Sequence, residues 1–332
     1  MKMNTKIKKI ICYLVAATLI IAVVFLAASK MKTKNKNTET ESQTAVSEEL
    51  VTENTEETEK VEIYRAESTP QTAEIGEAIE SPHAILIDEQ AKTIIAQKNP
   101  YEKMYPASMT KVMTVLVACE NISPEDLDKT VPVSREATDY SYVNGCSAAG
   151  FDENELVTVR DLLYGTILPS GGEAAYQLAL YIAGSMESFV AMMNDKAQQL
   201  GLAQTTHFAN SVGIFDEQNY TTAYDMAVIM ETALSNEMSR EVITTHVYKT
   251  SVTEQHPEGI TLVNKFFRKI KDEKCGGTVL GAKTGFVNES GNCAVSYEQS
   301  ASGRTYICVT AGAHGAMNCV ENHEAIYSAY AK

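Results

Sequence analysis

The stretch Pro106-Ala107-Ser108-Met109-Thr110-Lys111 puts a serine and a lysine three residues apart at the start of a strongly apolar segment. After Lys111 come Val112, Met113, Thr114, Val115, Leu116, Val117, Ala118 and Cys119, with no Gly or Pro until Pro124. Apolar positions on nearly every face predict a buried helix rather than a surface one. A proline just upstream marks its start. On a helix, residues at i and i+3 share a face, so Lys111 should lie alongside the Ser108 hydroxyl.

A serine hydroxyl is a poor nucleophile until something removes its proton. A lysine does so only when burial or a neighbouring cation brings its pKa well below ~10.4. The apolar segment offers burial, and the helix N-terminus offers backbone N–H groups where negative charge would develop. Taken alone, Ser-x-x-Lys is far more often an N-cap beside a solvated lysine, so the motif needs partners.

Two partners follow in order. Ser170, within Leu168-Pro169-Ser170-Gly171-Gly172-Glu173, stands before a second apolar helix, and Lys283-Thr284-Gly285 ends the strand-like run Thr278-Val279-Leu280-Gly281-Ala282. Ser-x-x-Lys, then Ser-x-x, then Lys-Thr-Gly resembles the motif set of the serine penicillin-recognising enzymes. Within them the chain resembles the D-alanyl-D-alanine carboxypeptidases of the low-molecular-mass penicillin-binding proteins, serine peptidase family S11. The resemblance runs from about Pro82 to the C-terminus. It takes in the hairpin from Ala84 to Gln97, Asp161-Leu162-Leu163-Tyr164-Gly165, Thr206-His207-Phe208-Ala209-Asn210 and Thr221-Thr222-Ala223-Tyr224-Asp225-Met226-Ala227.

The resemblance implies a serine-type carboxypeptidase that removes the terminal D-alanine of a peptidoglycan stem peptide through an acyl-enzyme, with β-lactams as inhibitors and no cofactor or metal. Ser108 would be acylated, with Lys111 as general base and Ser170 passing a proton to the leaving amine. Lys283 would lower the Lys111 pKa and attract the substrate carboxylate, which Thr284 would hydrogen-bond. The N–H groups of Ser108 and of Phe286, next after Gly285, would form the oxyanion hole. The second motif of the family usually ends in asparagine, where this chain has Gly172. Asn144, on the preceding loop, is the candidate to take its place, and on sequence grounds Gly172→Asn should preserve or raise turnover. Relatives often carry an arginine after the last strand, and His314 to Asn322 contains none.

Two alternatives stay open. One is a non-catalytic penicillin sensor or peptidoglycan-binding module. The other is a class A β-lactamase, disfavoured because no Glu-x-x-Leu-Asn lies between Ser170 and Lys283.

The pattern also predicts the architecture. Ala84 to Asp88 and Thr93 to Ala96 read as a hairpin; Val279 to Thr284, Asn292 to Tyr297 and Thr305 to Ala311 read as a meander. Helical patterns lie between them and at the C-terminus. The expected fold is α/β (α+β), β-lactamase/transpeptidase-like: an antiparallel sheet of about five strands flanked by helices, with a helical subdomain inserted between its halves.

The 332 residues carry a net charge of −15, unevenly spread. Residues 1–37 hold eight lysines and no acid, and residues 38–80 hold thirteen acids against Lys60 and Arg65. No basic stripe interleaved with aromatics exists, which argues against nucleic acid as a partner. The twenty uncharged residues from Ile10 to Ser29 are long enough to span a membrane. The expected layout is a cytoplasmic tail over 1–9, an uncleaved anchor (or a cleaved signal ending near Ala27-Ala28-Ser29) over 10–29, a disordered acidic linker over 30–76 and an extracytoplasmic catalytic domain over 77–332. Seven cysteines without a Cys-x-x-Cys, and six histidines without His-Glu-x-x-His, give no metal signature, and spacing does not choose disulfide partners. His207 reads as structural.

Overall fold

The computed structural model of the chain describes residues 64–332; the expected tail, anchor and residues 30–63 of the linker lie outside the described residues. A six-stranded sheet organises the molecule. Its strands are β1 (Glu67–Glu74), β2 (His83–Asp88), β3 (Thr93–Lys98), β8 (Gly277–Val287), β9 (Gly291–Ser300) and β10 (Thr305–Ala313), in the order β1-β3-β2-β10-β9-β8. The first hairpin joins the last strand through β2 and β10, which pair antiparallel from Asp88 opposite Tyr306 to His83 opposite Ala311.

Alternation along the strands explains why both faces are apolar. Ile85, Ile87, Ile307 and Val309 point into one core with the inserted helices, while Ala84, Leu86, Tyr306 and Cys308 point into a second core on the other face. The C-terminal helix α9 (Ala316–Tyr330) covers that second face with Val320, Ile326 and Tyr327. It is further fixed by His323, whose ring nitrogens meet Ser296 Oγ at 2.7 Å and Thr310 Oγ1 at 2.9 Å. Burial pushes the His323 pKa down to about 3, so the imidazole is neutral.

Between β3 and β8 lie α1 (Thr110–Asn121), α2 (Arg135–Val143), α3 (Val159–Ile167), α4 (Gly172–Ala183), α5 (Met186–Gln199), α6 (Ala223–Ser235) and α7 (Glu237–Thr244). Short strands pair β4 (Thr130–Pro132) with β5 (Leu156–Thr158) and β6 (Val247–Lys249) with β7 (Thr261–Val263), and a single turn, α8 (Asp272–Cys275), precedes β8. Helix α1 is buried from Thr110 through Cys119, as its unbroken apolar pattern requires. Helix α3 opens with a capping box, Thr158 and Asp161 each bonding the other's backbone N–H.

The expected sheet of about five strands is present and gains a sixth, and the described residues already form a strand before residue 77, inside the segment read as linker. Strand β1 runs parallel to β3, with Glu67 opposite Thr93 and Glu74 opposite Gln97 around a bulge between Ser68 and Ala73. Its sequence, Glu-Ser-Thr-Pro-Gln-Thr-Ala-Glu, lacks apolar alternation because it is a largely exposed edge strand. No helix among the described residues is long and apolar enough to cross a membrane, and the six described cysteines are free thiols.

Candidate active site

A cleft of ≈ 680 Å³ opens where the sheet edge formed by β8 meets the inserted helices, and Ser108, Lys111, Ser170, Thr284, Gly285 and Phe286 line it. Ser108 sits in a single 3-10 turn, Ala107–Met109, that feeds directly into α1. One turn on, the Lys111 Nζ donates to Ser108 Oγ at 3.1 Å and to the Val212 carbonyl at 2.6 Å. Lys111 is buried, and desolvation pushes its pKa down to about 8; Cys146 and Glu173 pull it back up, and the Lys265 cation adds a smaller lowering.

Ser170 lies just before α4 with φ +69, a left-handed conformation unusual for serine. The buried Lys283 Nζ donates to Ser170 Oγ at 2.8 Å and to the Thr284 carbonyl at 2.7 Å. Burial, then Lys111 and Lys265, hold the Lys283 amine well below the ordinary lysine range. Lys111 and Lys283 thus weigh on each other, and Lys265, which sequence reasoning had not singled out, is a further cation acting on both.

Glycine is required where β8 passes the serine. A Cβ on Gly285 would lie 2.9 Å from the Pro106 carbonyl oxygen, 3.0 Å from Ser108 N and 2.7 Å from Cys293 Sγ. Its absence lets the Lys-Thr-Gly strand close against Ser108, and Phe286, the next residue, stands exposed at the mouth.

A loop that sequence reading left without a role completes the site. Asn210 Oδ1 accepts from the N–H groups of Val212, Gly213 and Ile214 at 3.2, 2.6 and 3.2 Å, folding the chain into a tight turn that aims the Val212 carbonyl at Lys111. Thr114 Oγ1, on α1, donates to the Ser211 carbonyl at 2.7 Å, and Ser211 Oγ donates to the Ala175 carbonyl of α4 at 3.2 Å. Asn210 closes the Thr-His-Phe-Ala-Asn segment, which was legible as a segment but not as a brace. His207 is structural, its Nδ1 2.6 Å from the Gln218 carbonyl.

The family model for peptidase S11, D-alanyl-D-alanine carboxypeptidase, matches residues 65–315. The chain belongs to the S11 peptidase family. It is 32% identical over 221 residues to the D-alanyl-D-alanine carboxypeptidase DacF of Bacillus subtilis (strain 168), covering 65% of this chain and 53% of that protein. It is 37% identical over 149 residues to DacC of Escherichia coli (strain K12), covering 44% and 37% respectively. The chain therefore spans about half or less of these curated relatives. Among solved structures, the Streptomyces K15 DD-transpeptidase superposes with a TM-score of 0.67 at 30% identity, over 75% of this chain and 97% of that one.

In this S11 peptidase the Gly172 position is filled from elsewhere. A Cβ there would lie 2.6 Å from Cys146 Cβ, 3.1 Å from Cys146 Sγ and 2.7 Å from Ser141 Oγ. Cys146, on the loop after α2, occupies that volume and lines the cleft. Asn144 does not take its place on Lys111; its amide folds back to the Tyr140 carbonyl at 2.8 Å, capping its own helix. The loop is held by Glu173, whose buried Oε1 accepts from Ala149 and Gly150 N–H at 2.6 and 2.9 Å. Among the described residues only Asp152, Glu155 and His256 bring three ligand atoms within 4.8 Å, and none lines the cleft. Glu155 is engaged there by Thr253 Oγ1, by His256 Nδ1 and by Asp152 N–H, so the set reads as a loop brace.

Proposed function

We propose that this S11 peptidase is a serine-type D-alanyl-D-alanine carboxypeptidase acting on peptidoglycan stem peptides and acylated by β-lactams. The observation that carries the reading is the pairing of two buried, pKa-depressed lysines with two serines at one cleft. With one Lys111 N–H held on Val212, the lone pair of the neutral amine is available to Ser108 Oγ. Ser108 attacks the carbonyl of the penultimate D-alanine as its proton passes to Lys111. The oxyanion is met by the N–H groups of Ser108 and Phe286, at the start of α1 and on β8. The peptide C–N bond then breaks as the proton taken up by Lys111 is relayed through Ser170, beside Lys283, to the departing D-alanine nitrogen. Thr284, beside Lys283, orients the terminal carboxylate by hydrogen bonding. Water, entering along the same face, hydrolyses the ester and restores Ser108.

Similarity to the K15 DD-transpeptidase favours a second outcome at the last step, capture of the acyl group by an amine. We infer also that the uncharged run at 10–29 anchors the catalytic domain outside the cytoplasm, a reading tested by membrane fractionation.

Fluorescent penicillin should label the full chain at Ser108, and neither Ser108→Ala nor Lys111→Ala, both folded by circular dichroism, should be labelled. A stem pentapeptide should yield free D-alanine, with and without an added amine acceptor. Labelling without D-alanine release in either condition would support the penicillin sensor; no labelling at all would remove both readings.

A further inference from the structure

One wall of the cleft carries charge that the acyl-transfer chemistry leaves unused. Lys265, Arg268 and Lys269 fall within one short segment of a chain whose net charge is −15. Lys265 and Lys269 line the catalytic cleft; Lys265 and Arg268 line a smaller adjoining cavity, and Ser147 and Lys265 belong to both. The only carboxylate side chain lining the catalytic cleft is Glu289.

Elsewhere cations are matched locally: Lys129 with Asp126, Arg160 with Asp128, Lys274 with Glu324, Arg304 with Asp88. Among the described residues none of these three cations forms an ion pair with a carboxylate. The Lys265 ammonium donates to a neutral group, Ser147 Oγ. Burial, with Lys269 and Arg268 close by, pulls its pKa below the ordinary lysine range, the sign of positive charge held without a counter-charge.

The segment cannot relax away from this crowding. Asn264 Nδ2 donates to the Ala282 carbonyl on β8 at 2.8 Å, Lys265 N–H reaches the Leu168 carbonyl, and Phe266 is fully buried and packs edge-on against His323. Like charges gathered on one wall of a cleft make a receptor for an anion.

We infer that Lys265 and Lys269 form an anion subsite in the cleft that takes a carboxylate of the donor peptide. This rests on the peptidase reading of the cleft. Two carboxylates of such a peptide have the required chemistry: the terminal α-carboxylate of the leaving residue, and an acidic side chain in the acyl half. The first would make up for the arginine missing from His314 to Asn322, and the second would set the preference for the stem peptide.

The test uses the full chain carrying Ser108→Ala, so that binding is read without turnover. Three N-acetylated peptides ending in D-alanyl-D-alanine are compared by calorimetry: one with an acidic side chain upstream, one with that side chain amidated, and one with the terminal carboxylate amidated. Lys265→Gln with Lys269→Gln should weaken the fully acidic peptide by roughly tenfold or more. One amidated peptide should bind weakly from the outset and lose nothing further; which one identifies the carboxylate. Lys265→Arg with Lys269→Arg should retain affinity. Equal weakening of all three peptides, no weakening of any, loss in the arginine variant as well, or no peptide binding at all would overturn the subsite. D-alanine release by the chain with Ser108 intact is scored separately, so failure of the peptidase reading is recognised apart from failure of the subsite.

Discussion

Gly172 shows how one side chain's absence can be misread. In the sequence it looks like a lost polar tether, and restoring asparagine seems harmless. In the structure the space is already occupied by Cys146 and Ser141, at 2.6 and 2.7 Å from where a Cβ would sit. Gly172→Asn should therefore lower D-alanine release at least about tenfold and destabilise the fold by ~1–3 kcal/mol through overpacking. Adding Cys146→Gly, which vacates the volume, should recover much of both losses. Parent-like turnover and melting in Gly172→Asn alone would refute the packing argument. Ser108 and Lys111 were legible because one helical turn fixes their geometry, whereas Cys146 reaches Gly172 only through tertiary folding. Lys111 also sets a pH dependence. Its pKa is lowered to about 8, so below that pH the ammonium already holds the proton that Ser108 must give up. The acylation rate by a β-lactam should climb as pH rises from about 6 and level off above about 9, with its midpoint near 8. A profile flat across that window would exclude Lys111 as the base.

At the scale of elements, the site depends on a turn that belongs to no helix or strand. Residues 210–214 connect α1 to α4 through Thr114 and Ser211 and present the Val212 carbonyl that Lys111 uses. Asn210 is 4% exposed and organises the turn through three N–H groups, so Asn210→Ala leaves buried donors without a partner, at a cost of about 1–3 kcal/mol. Acylation should fall by roughly a hundredfold, because the lysine loses the fixed acceptor that orients it. Asn210→Asp, which keeps the acceptor oxygen, should restore a good part, and equal acylation by Asn210→Ala and the parent chain would discard the brace. Periodicity exposed the elements that bury a face, such as β2 and α1. It could not expose this turn, whose signal is one asparagine, nor β1, whose residues look outward.

For the whole molecule the question is where the folding unit starts. The composition of residues 30–76 reads as solvated spacer, yet Tyr64, Ala66 and Ile75 are buried and Ala66 N–H donates to the Tyr224 hydroxyl at 3.2 Å. Strand β1 covers the edge of β3, and β8, which carries Lys283 to Phe286, forms the opposite edge of the same sheet. The two edges should therefore respond independently to truncation. A chain of residues 64–332 should melt close to the full chain. A chain of residues 77–332 should melt about 10 °C lower, since burial of Tyr64 and Ile75 contributes roughly 1.5–3 kcal/mol each and the β3 ladder loses its neighbour. The shorter chain should also self-associate on concentration, because Thr93 to Lys98 would present an unpaired edge. Below its melting point, however, penicillin should acylate it at the parent rate, the cleft lying across the sheet from the lesion. Equal melting of the two chains would return residues 64–76 to the spacer, and a slowed acylation in the shorter one would mean that the edges communicate through the strands between them.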